Sequence, residues 1–190
     1  MLLSGIPSRV GFKESAMPWV FHQSVARSGF AHDVLRNLAI LTPFAALDRF
    51  DAALRLTPMQ LGDLSSAVRA ALPPPRSYVV LVPGSVWATK RWHWQNYRDL
   101  AQQLLSEGAA VVVLGAPNER DVCDRVSEKL PVINLCGRTS IGEFVYCIAN
   151  ASSLVCNDSV ALHVASTFKI PTAAVFCATS PTFGFGPWQN

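Results

Sequence analysis

Apolar and polar positions alternate through the second half of the chain in a way that predicts strands and helices in turn. Residues 78–82 are an unbroken apolar run between a triple proline and a Pro-Gly pair, which predicts a buried strand. Residues 94–107 then place apolar side chains at helical spacing and end at Gly108, a residue type that favours helix ends. The alternation continues with strands predicted at about 110–114, 132–135, 153–156 and 172–177, and helices at about 119–129, 140–150 and 159–168.

This order of elements predicts the fold class. Five strands that alternate with helices through short connections are typical of a parallel, doubly wound α/β sheet of the Rossmann-like kind. Ser140 is the residue type that caps a helix N-terminus, which supports the helix predicted to begin there.

The first 72 residues carry a weaker pattern. It predicts a short strand at 9–12, a helix at 30–46, a strand at 52–56 and a helix at 57–71. The triple proline at 73–75 is stiff and continues neither kind of element, so it predicts a boundary between residues 1–72 and 73–190. The chain starts and stops without an opening strand or a closing helix, and we expect it to be truncated at both ends.

Composition and charge narrow the class of ligand. Half of the 190 residues are hydrophobic and 15% are charged, which indicates a globular chain with one full domain and part of a second. The net charge is +3, yet no acidic residue occurs between Asp63 and Asp99, where five cations lie: Arg69, Arg76, Lys90, Arg91 and Arg98. This favours an anionic ligand, and the lack of a long basic run argues against nucleic acid.

The sequence lacks the motifs of metal sites and of several enzyme classes. It has no Asp-x-Asp, no His-x-x-x-His and no Cys/His cluster, so we expect no metal cofactor. It also lacks the glycine motifs of α/β-hydrolases, P-loop NTPases and dinucleotide-binding enzymes. The five cysteines form no Cys-x-x-Cys pair and are expected to be buried, reduced and structural. With no signal sequence and no apolar run of about 18 residues, the expected location is the cytoplasm.

The candidate chemistry lies in the loops that follow the strands. The carboxyl ends of parallel strands share one edge of a sheet, which is where ligands bind in this architecture. Four loops carry polar residues to that edge: Ser85, Thr89 and Lys90; Asn118 and Glu119; Arg138 and Thr139; and Asn157, Asp158, Ser159 and His163. Lys90 and the helix N-terminus at Ser159 suit a diphosphate.

Each of these residues also has a structural explanation that the residues alone leave open. Lys90 and Arg91 are equally well explained as cations on a solvated loop. Asp158 and Ser159 are preferred helix caps, and Glu119 is favoured at a helix start by the dipole. A lone helical histidine such as His163 is more often structural than functional. The tryptophans in 87–94 either stack on a ring or brace the loop.

Four segments in order resemble glycosyltransferase family 9, the ADP-heptose:lipopolysaccharide heptosyltransferases. The segments are Pro83-Gly84-Ser85, Thr89-Lys90-Arg91-Trp92, Gly115-Ala116-Pro117-Asn118-Glu119, and Asn157-Asp158-Ser159 with Leu162-His163-Val164-Ala165. Residues 6–12 and 32–38 resemble the end of that family's N-terminal domain, so residues 1–72 are expected to be a remnant of the acceptor-side domain.

The resemblance implies a GT-B fold, with the nucleotide-sugar bound by residues 73–190. It implies that Ser85 and Lys90 hold the diphosphate, that Glu119 binds the ribose, and that the backbone near Thr139 meets the adenine. Asp158 would take the heptose hydroxyls, with Ser159 and His163 completing the pocket. The family is inverting and metal-independent, uses ADP-heptose as donor without a cofactor, and has the lipopolysaccharide inner core as acceptor. This acceptor allows a peripheral contact with the cytoplasmic face of the inner membrane.

Three positions depart from the family pattern. Val160 stands where the family has glycine, and Cys177-Ala178 stands where it has Gly-Pro. The family's general base, an aspartate early in the N-terminal domain, has no counterpart here, so we expect the chain alone to bind donor without catalysing transfer. Two alternatives stay open: a non-catalytic nucleotide-sugar-binding remnant, and a GT-B transferase that uses another nucleotide.

Overall fold

The computed structural model describes residues 5–27, 32–46, 49 and 51–188 of the chain. The protein divides into two compact units. One unit lies within Met1–Ala53 and Pro181–Gly186, and the other within Leu54–Ser180 and Pro187–Asn190.

The described residues of the first unit form two short parallel strands and one α-helix, with 3-10 turns at Pro18–Val20 and Ala39–Leu41. Strand β1 (Val10–Phe12) pairs with β2 (Gln23–Val25), and helix α1 spans Asp33–Leu38. The strand predicted at 9–12 is confirmed, whereas β2 was not predicted. The helix predicted at 30–46 begins within a stretch outside the described residues. It is also shorter than expected, since the helix gives way to a 3-10 turn at Ala39–Leu41.

The second unit is a five-stranded parallel sheet, which confirms the predicted α/β fold class. Its strands are β3 (Tyr78–Val82), β4 (Ala110–Val113), β5 (Ile133–Asn134), β6 (Ser153–Asn157) and β7 (Thr172–Val175). They lie in the order β5-β4-β3-β6-β7. The segment before the sheet contributes α2 (Ser66–Ala71), and the helices that connect the strands are α3 (Trp94–Ser106), α4 (Arg120–Ser127), α5 (Ile141–Ala149) and α6 (Val160–Phe168).

The helices cover both faces of this sheet, which explains why β3 is an unbroken apolar run. Val79 and Leu81 face the core under α3 and α4. Val80 and Val82 face the opposite core, which contains residues of α5 and α6. All five residues of β3 are buried, because a central parallel strand has no solvent face.

The segment before the sheet differs from the prediction. The strand predicted at 52–56 is wrong, since residues 51–60 lie outside helices and strands. The helix predicted at 57–71 is reduced to α2, preceded by a 3-10 turn at Leu61–Asp63. The Ser65 hydroxyl accepts from the Val68 N–H and so fixes the start of α2.

The unit division also lies earlier than the triple proline. Leu64 and Val68 are buried in the same core as β3, so residues 54–72 form part of the unit that contains the sheet. That residues 1–72 derive from an acceptor-side domain stays a prediction.

The expectation that all cysteines are buried is wrong at one position. All five thiols are free, and Cys123, Cys136, Cys147 and Cys156 are buried, but Cys177 is exposed. Strand β7 ends at Val175, so Cys177 lies in the following loop and not in the strand predicted there. Among the described residues no helix is both long and apolar enough to cross a membrane.

Candidate functional site

The connectivity of the sheet predicts a ligand crevice beyond the carboxyl ends of β3 and β6. From β3 the chain builds outward through β4 to β5, then returns to the other side of β3 to form β6 and β7. In doubly wound sheets, ligands bind at this point, outside the carboxyl ends of the two strands where the winding direction changes. The loop that carries Ser85 and Lys90 follows β3, and Asp158 and Ser159 follow β6.

A partly buried ion pair joins these two loops. The Nζ of Lys90 lies 2.7 Å from Oδ2 of Asp158, and the side chains are 26% and 7% exposed. The hydroxyl of Thr179 donates to the same carboxylate oxygen at 2.9 Å. Two predicted site residues therefore meet directly, and Thr179, in the loop after β7, is a member of the site that the sequence prediction missed.

Ser85 and Ser159 lie at the same junction. The buried Ser85 hydroxyl donates to the Asp158 carbonyl at 3.3 Å, and the Ser85 carbonyl accepts from Nε of Arg91 at 2.8 Å. The Oγ of Ser159 is buried without a hydrogen-bond partner among the described residues. Helix α6 begins at the next residue, so this hydroxyl lies beside first-turn N–H groups that are available to an anion.

Glu119 lies directly against the loop that follows β3. A Cβ added at Gly84 would stand 2.2 Å from the carboxylate carbon of Glu119, so glycine is what permits this approach. The carboxylate accepts from the Ala116 N–H at 2.8 Å, which fixes its position at the start of α4. Glu119 therefore lies at the start of α4, as stabilisation by the helix dipole requires, and it also contacts the loop after β3; its role in binding the ribose stays a prediction.

The positions of Thr139 and His163 do not decide whether these residues bind a ligand. Thr139 is half-buried and follows β5, the strand at the edge of the sheet, immediately before the Ser140 cap of α5. His163 is half-buried and lies one turn into α6, four positions after Ser159, which puts both on one side of the helix. Their roles in binding adenine and sugar stay predictions.

Of the three tryptophans in residues 87–94, Trp92 and Trp94 pack against helices, whereas Trp87 is largely exposed. Trp92 meets Tyr97 edge to face, with ring centroids 5.2 Å apart, and the Arg125 guanidinium lies 5.9 Å from the ring of Trp94. These two indoles brace the loop against α3 and α4. Trp87 is 66% exposed, whereas Trp92 and Trp94 are half-buried.

Comparison with known proteins identifies the family. The family model described as glycosyltransferase family 9 (heptosyltransferase) matches residues 1–190, the whole chain. The chain belongs to glycosyltransferase family 9.

The chain is also similar to curated heptosyltransferase sequences and to solved heptosyltransferase structures. Lipooligosaccharide heptosyltransferase 2 of Haemophilus influenzae is 32% identical over 115 residues, which cover 57% of this chain and 33% of that protein. The matched part therefore spans about a third of the length of that relative. Among solved structures, E. coli ADP-heptose heptosyltransferase II gives a TM-score of 0.73 at 24% identity, over 94% of this chain and 59% of that one. E. coli heptosyltransferase WaaC, solved with ADP, gives 0.67 at 17% identity, over 90% and 52%.

That this family 9 chain works without a metal stays a prediction. The described residues hold no cluster of three or more His, Cys, Asp or Glu arranged to bind a metal ion. The structural neighbour TibC, a dodecameric heptosyltransferase solved with ADP-D-β-D-heptose, is described as iron-containing. Its similarity is lower, with a TM-score of 0.51 and 15% identity over 89% of this chain and 45% of that one.

Proposed function

We propose that this chain binds the nucleotide-sugar donor of a heptosyltransferase that transfers heptose from ADP-heptose to the lipopolysaccharide inner core. The observation that carries the proposal is the convergence of Lys90, Asp158 and the unpartnered Ser159 hydroxyl at the crevice between β3 and β6. A cation, a helix N-terminus and a buried hydroxyl together suit a diphosphate. Family membership and the ADP-bound neighbour support adenine as the base and heptose as the sugar.

The residues would divide the donor between them. Lys90, Ser85 and the N-terminus of α6 would hold the diphosphate, and Glu119, fixed above Gly84, would accept hydrogen bonds from the ribose hydroxyls. Asp158 would orient Lys90 and take the sugar hydroxyls, with His163 beside it and Thr139 toward the adenine.

This arrangement supplies one half of an inverting transfer. Negative charge grows on the ADP oxygen as the glycosidic bond breaks, and a fixed lysine with a helix N-terminus stabilises that charge without reorganisation. The other half, removal of the acceptor hydroxyl proton by a general base, belongs in the proposal to the family's N-terminal domain.

Calorimetric titration of the chain with ADP, UDP and GDP tests the donor assignment. We expect ADP to bind most tightly, and Lys90→Met, which keeps the stem but removes the charge, to weaken ADP binding roughly 10- to 100-fold. Lys129→Asn is the matched control, because it removes one positive charge from the loop at the other end of α4, where the φ of 57° is one that asparagine tolerates. The site assignment is wrong if ADP does not bind, or if both variants weaken it equally.

Transfer itself would also need the general base that the proposal assigns to the family's N-terminal domain. Adding a separately produced family 9 N-terminal domain together with ADP-heptose and a core acceptor is expected to restore heptose transfer, measured by mass of the acceptor. ADP binding without any transfer would favour a non-catalytic nucleotide-sugar-binding role.

The acceptor also defines the proposed location. Because the lipopolysaccharide core is attached to a lipid anchor, transfer would take place at the membrane surface, and we expect a peripheral contact at the cytoplasmic face. Co-sedimentation of the chain with acceptor-containing vesicles but not with acceptor-free ones would support this; equal recovery from both would oppose it.

A further inference from the structure

One fully buried amide closes the loop that carries Ser85 and Lys90. Asn157, the last residue of β6, is 0% exposed. Its Nδ2 donates to the carbonyl of Pro83 at 2.9 Å and to that of Gly84 at 3.2 Å. Its Oδ1 accepts from the backbone N–H of Trp92 at 2.8 Å. A single side chain therefore ties both ends of residues 83–92 to the end of the neighbouring strand.

A buried tyrosine fixes the orientation of this amide. The Tyr97 hydroxyl of α3 donates to Oδ1 of Asn157 at 3.1 Å, and Tyr97 is fully buried. Burial raises the pKa of Tyr97 well above its ordinary value, so the phenol remains a donor at every physiological pH. With two bonds given and two accepted, the amide has used its hydrogen-bonding capacity, and the nitrogen and oxygen cannot exchange places without losing all four.

Only an amide of this length meets those requirements. Aspartate has the same shape but no donor, so it would face the carbonyl oxygens of Pro83 and Gly84 with a buried negative charge. Leucine of similar volume would leave two carbonyls, an N–H and a hydroxyl buried without partners. Asparagine is also a common helix-capping type, but helix α6 begins at Val160 and the Asn157 side chain contacts the loop after β3 instead.

We infer that Asn157 is a positioning residue for donor binding, which sets the place of Ser85 and Lys90 by clamping residues 83–92. The inference deepens the proposed function and rests on it for the identity of the ligand. Its neighbour Asp158 pairs with Lys90, so adjacent residues of one strand end hold the loop's backbone and its cation respectively. Loss of the clamp lets the loop move relative to α6, and a diphosphate that needs both is bound less tightly.

Asn157→Asp tests the inference with two measurements. In amide hydrogen exchange, we expect residues 84–92 to exchange faster than in the wild type while β4 and α6 keep their protection. In titrations, we expect ADP affinity to fall roughly 10- to 100-fold and adenosine affinity, which needs no diphosphate contact, to change less than about 2-fold. Unchanged loop exchange overturns the inference, as does faster exchange with unaltered ADP affinity or an equal loss of adenosine affinity.

Two matched tyrosine variants cover the case in which Asn157→Asp does not fold. Tyr97→Phe removes one hydrogen bond to Asn157 and is expected to raise loop exchange and weaken ADP about 2- to 5-fold. Tyr78→Phe also removes one buried hydroxyl, which donates to the Cys147 carbonyl at 2.8 Å, but at the opposite end of β3. It should lower stability and leave both loop readouts unchanged. If the two variants act alike on the loop, the clamp is not specific and the inference fails.

The exchange measurement also separates the two proposals. If wild-type chain does not bind ADP, the proposed function fails, while loop exchange in Asn157→Asp still decides whether Asn157 clamps the loop.

Discussion

Gly84→Ala separates the structural and functional roles of Glu119. The new Cβ would stand 2.2 Å from the Glu119 carboxylate carbon, whereas carbon atoms in contact are about 3.5 Å apart or more. The carboxylate must therefore move by about 1.3 Å or more, which breaks its 2.8 Å bond to the Ala116 N–H. That loss costs about 0.5–1.5 kcal/mol, and alanine offsets about 0.4–1 kcal/mol by restricting the unfolded chain, since Gly84 does not have a positive φ. Stability should change by less than about 1 kcal/mol.

Donor binding should change far more than stability. If Glu119 holds the ribose, displacing it removes a charged hydrogen bond worth about 1.5–3 kcal/mol, which weakens ADP roughly 10- to 100-fold. Pyrophosphate has no ribose, so calorimetry should find its affinity unaltered. In a double-mutant cycle, Gly84→Ala should have little further effect on ADP once Glu119→Ala is present. Additive losses in that cycle, or an equal loss of pyrophosphate affinity, would refute the assignment of Glu119 to the ribose.

Three further outcomes are expected from single positions. Hydrogen bonds from the Ser65 hydroxyl and from the Ser140 and Ser65 backbone lower the pKa of Glu143 from 4.5 to about 2. The stability that this carboxylate contributes is therefore complete above about pH 4.5 and lost as the pH falls toward 2. In denaturant titrations Glu143→Gln should lower the free energy of unfolding by about 1–2 kcal/mol at pH 7 and should reduce its fall between pH 4.5 and 2. An unaltered fall of stability over that pH range would contradict this expectation. Val160 is 66% exposed beside Ser159. If the methyl groups of Val160 crowd the phosphates, Val160→Gly should tighten ADP binding about 3- to 10-fold in calorimetry. An equal or weaker affinity would show that these methyl groups do not crowd the phosphates. Ellman titration of the native chain should find one fast thiol that Cys177→Ala abolishes, and several fast thiols would contradict the burial of the other four.

The centre of the sheet could be predicted because its strands are buried on both faces. A central parallel strand such as β3 needs an unbroken apolar run, and that run coincides with the observed Tyr78–Val82. The capping chemistry of Ser140 was equally local: its hydroxyl accepts from the Glu143 N–H three residues on, as the residue type predicts. Both features depend on interactions that a short window of sequence contains.

The errors occur where long-range packing overrides local preference. Residues 52–56 have an apolar pattern but pair with no strand, and Leu64 and Val68 join the sheet core across the predicted boundary. Thr179 reaches Asp158 only because β7 lies beside β6, an adjacency that strand prediction alone does not supply. The same holds for Asn157, whose partners at 83–97 are brought near by the pairing of β3 with β6.

The paired charges at the crevice change how an anion would be attracted. Asp158 is nearly buried and holds the Lys90 ammonium at 2.7 Å, so the two together present almost no net charge to an approaching diphosphate. The attraction would then come from groups whose charge or hydrogen-bonding capacity the pair does not neutralise. These are the first-turn N–H groups of α6 with the Ser159 hydroxyl, and the Arg91 guanidinium that donates to the Ser85 carbonyl. Lys90 would contribute chiefly by donating hydrogen bonds from a fixed position, because its charge is already matched. As the nucleoside diphosphate departs and its negative charge grows, the added charge would be stabilised chiefly by the N-terminus of α6 and the Arg91 guanidinium.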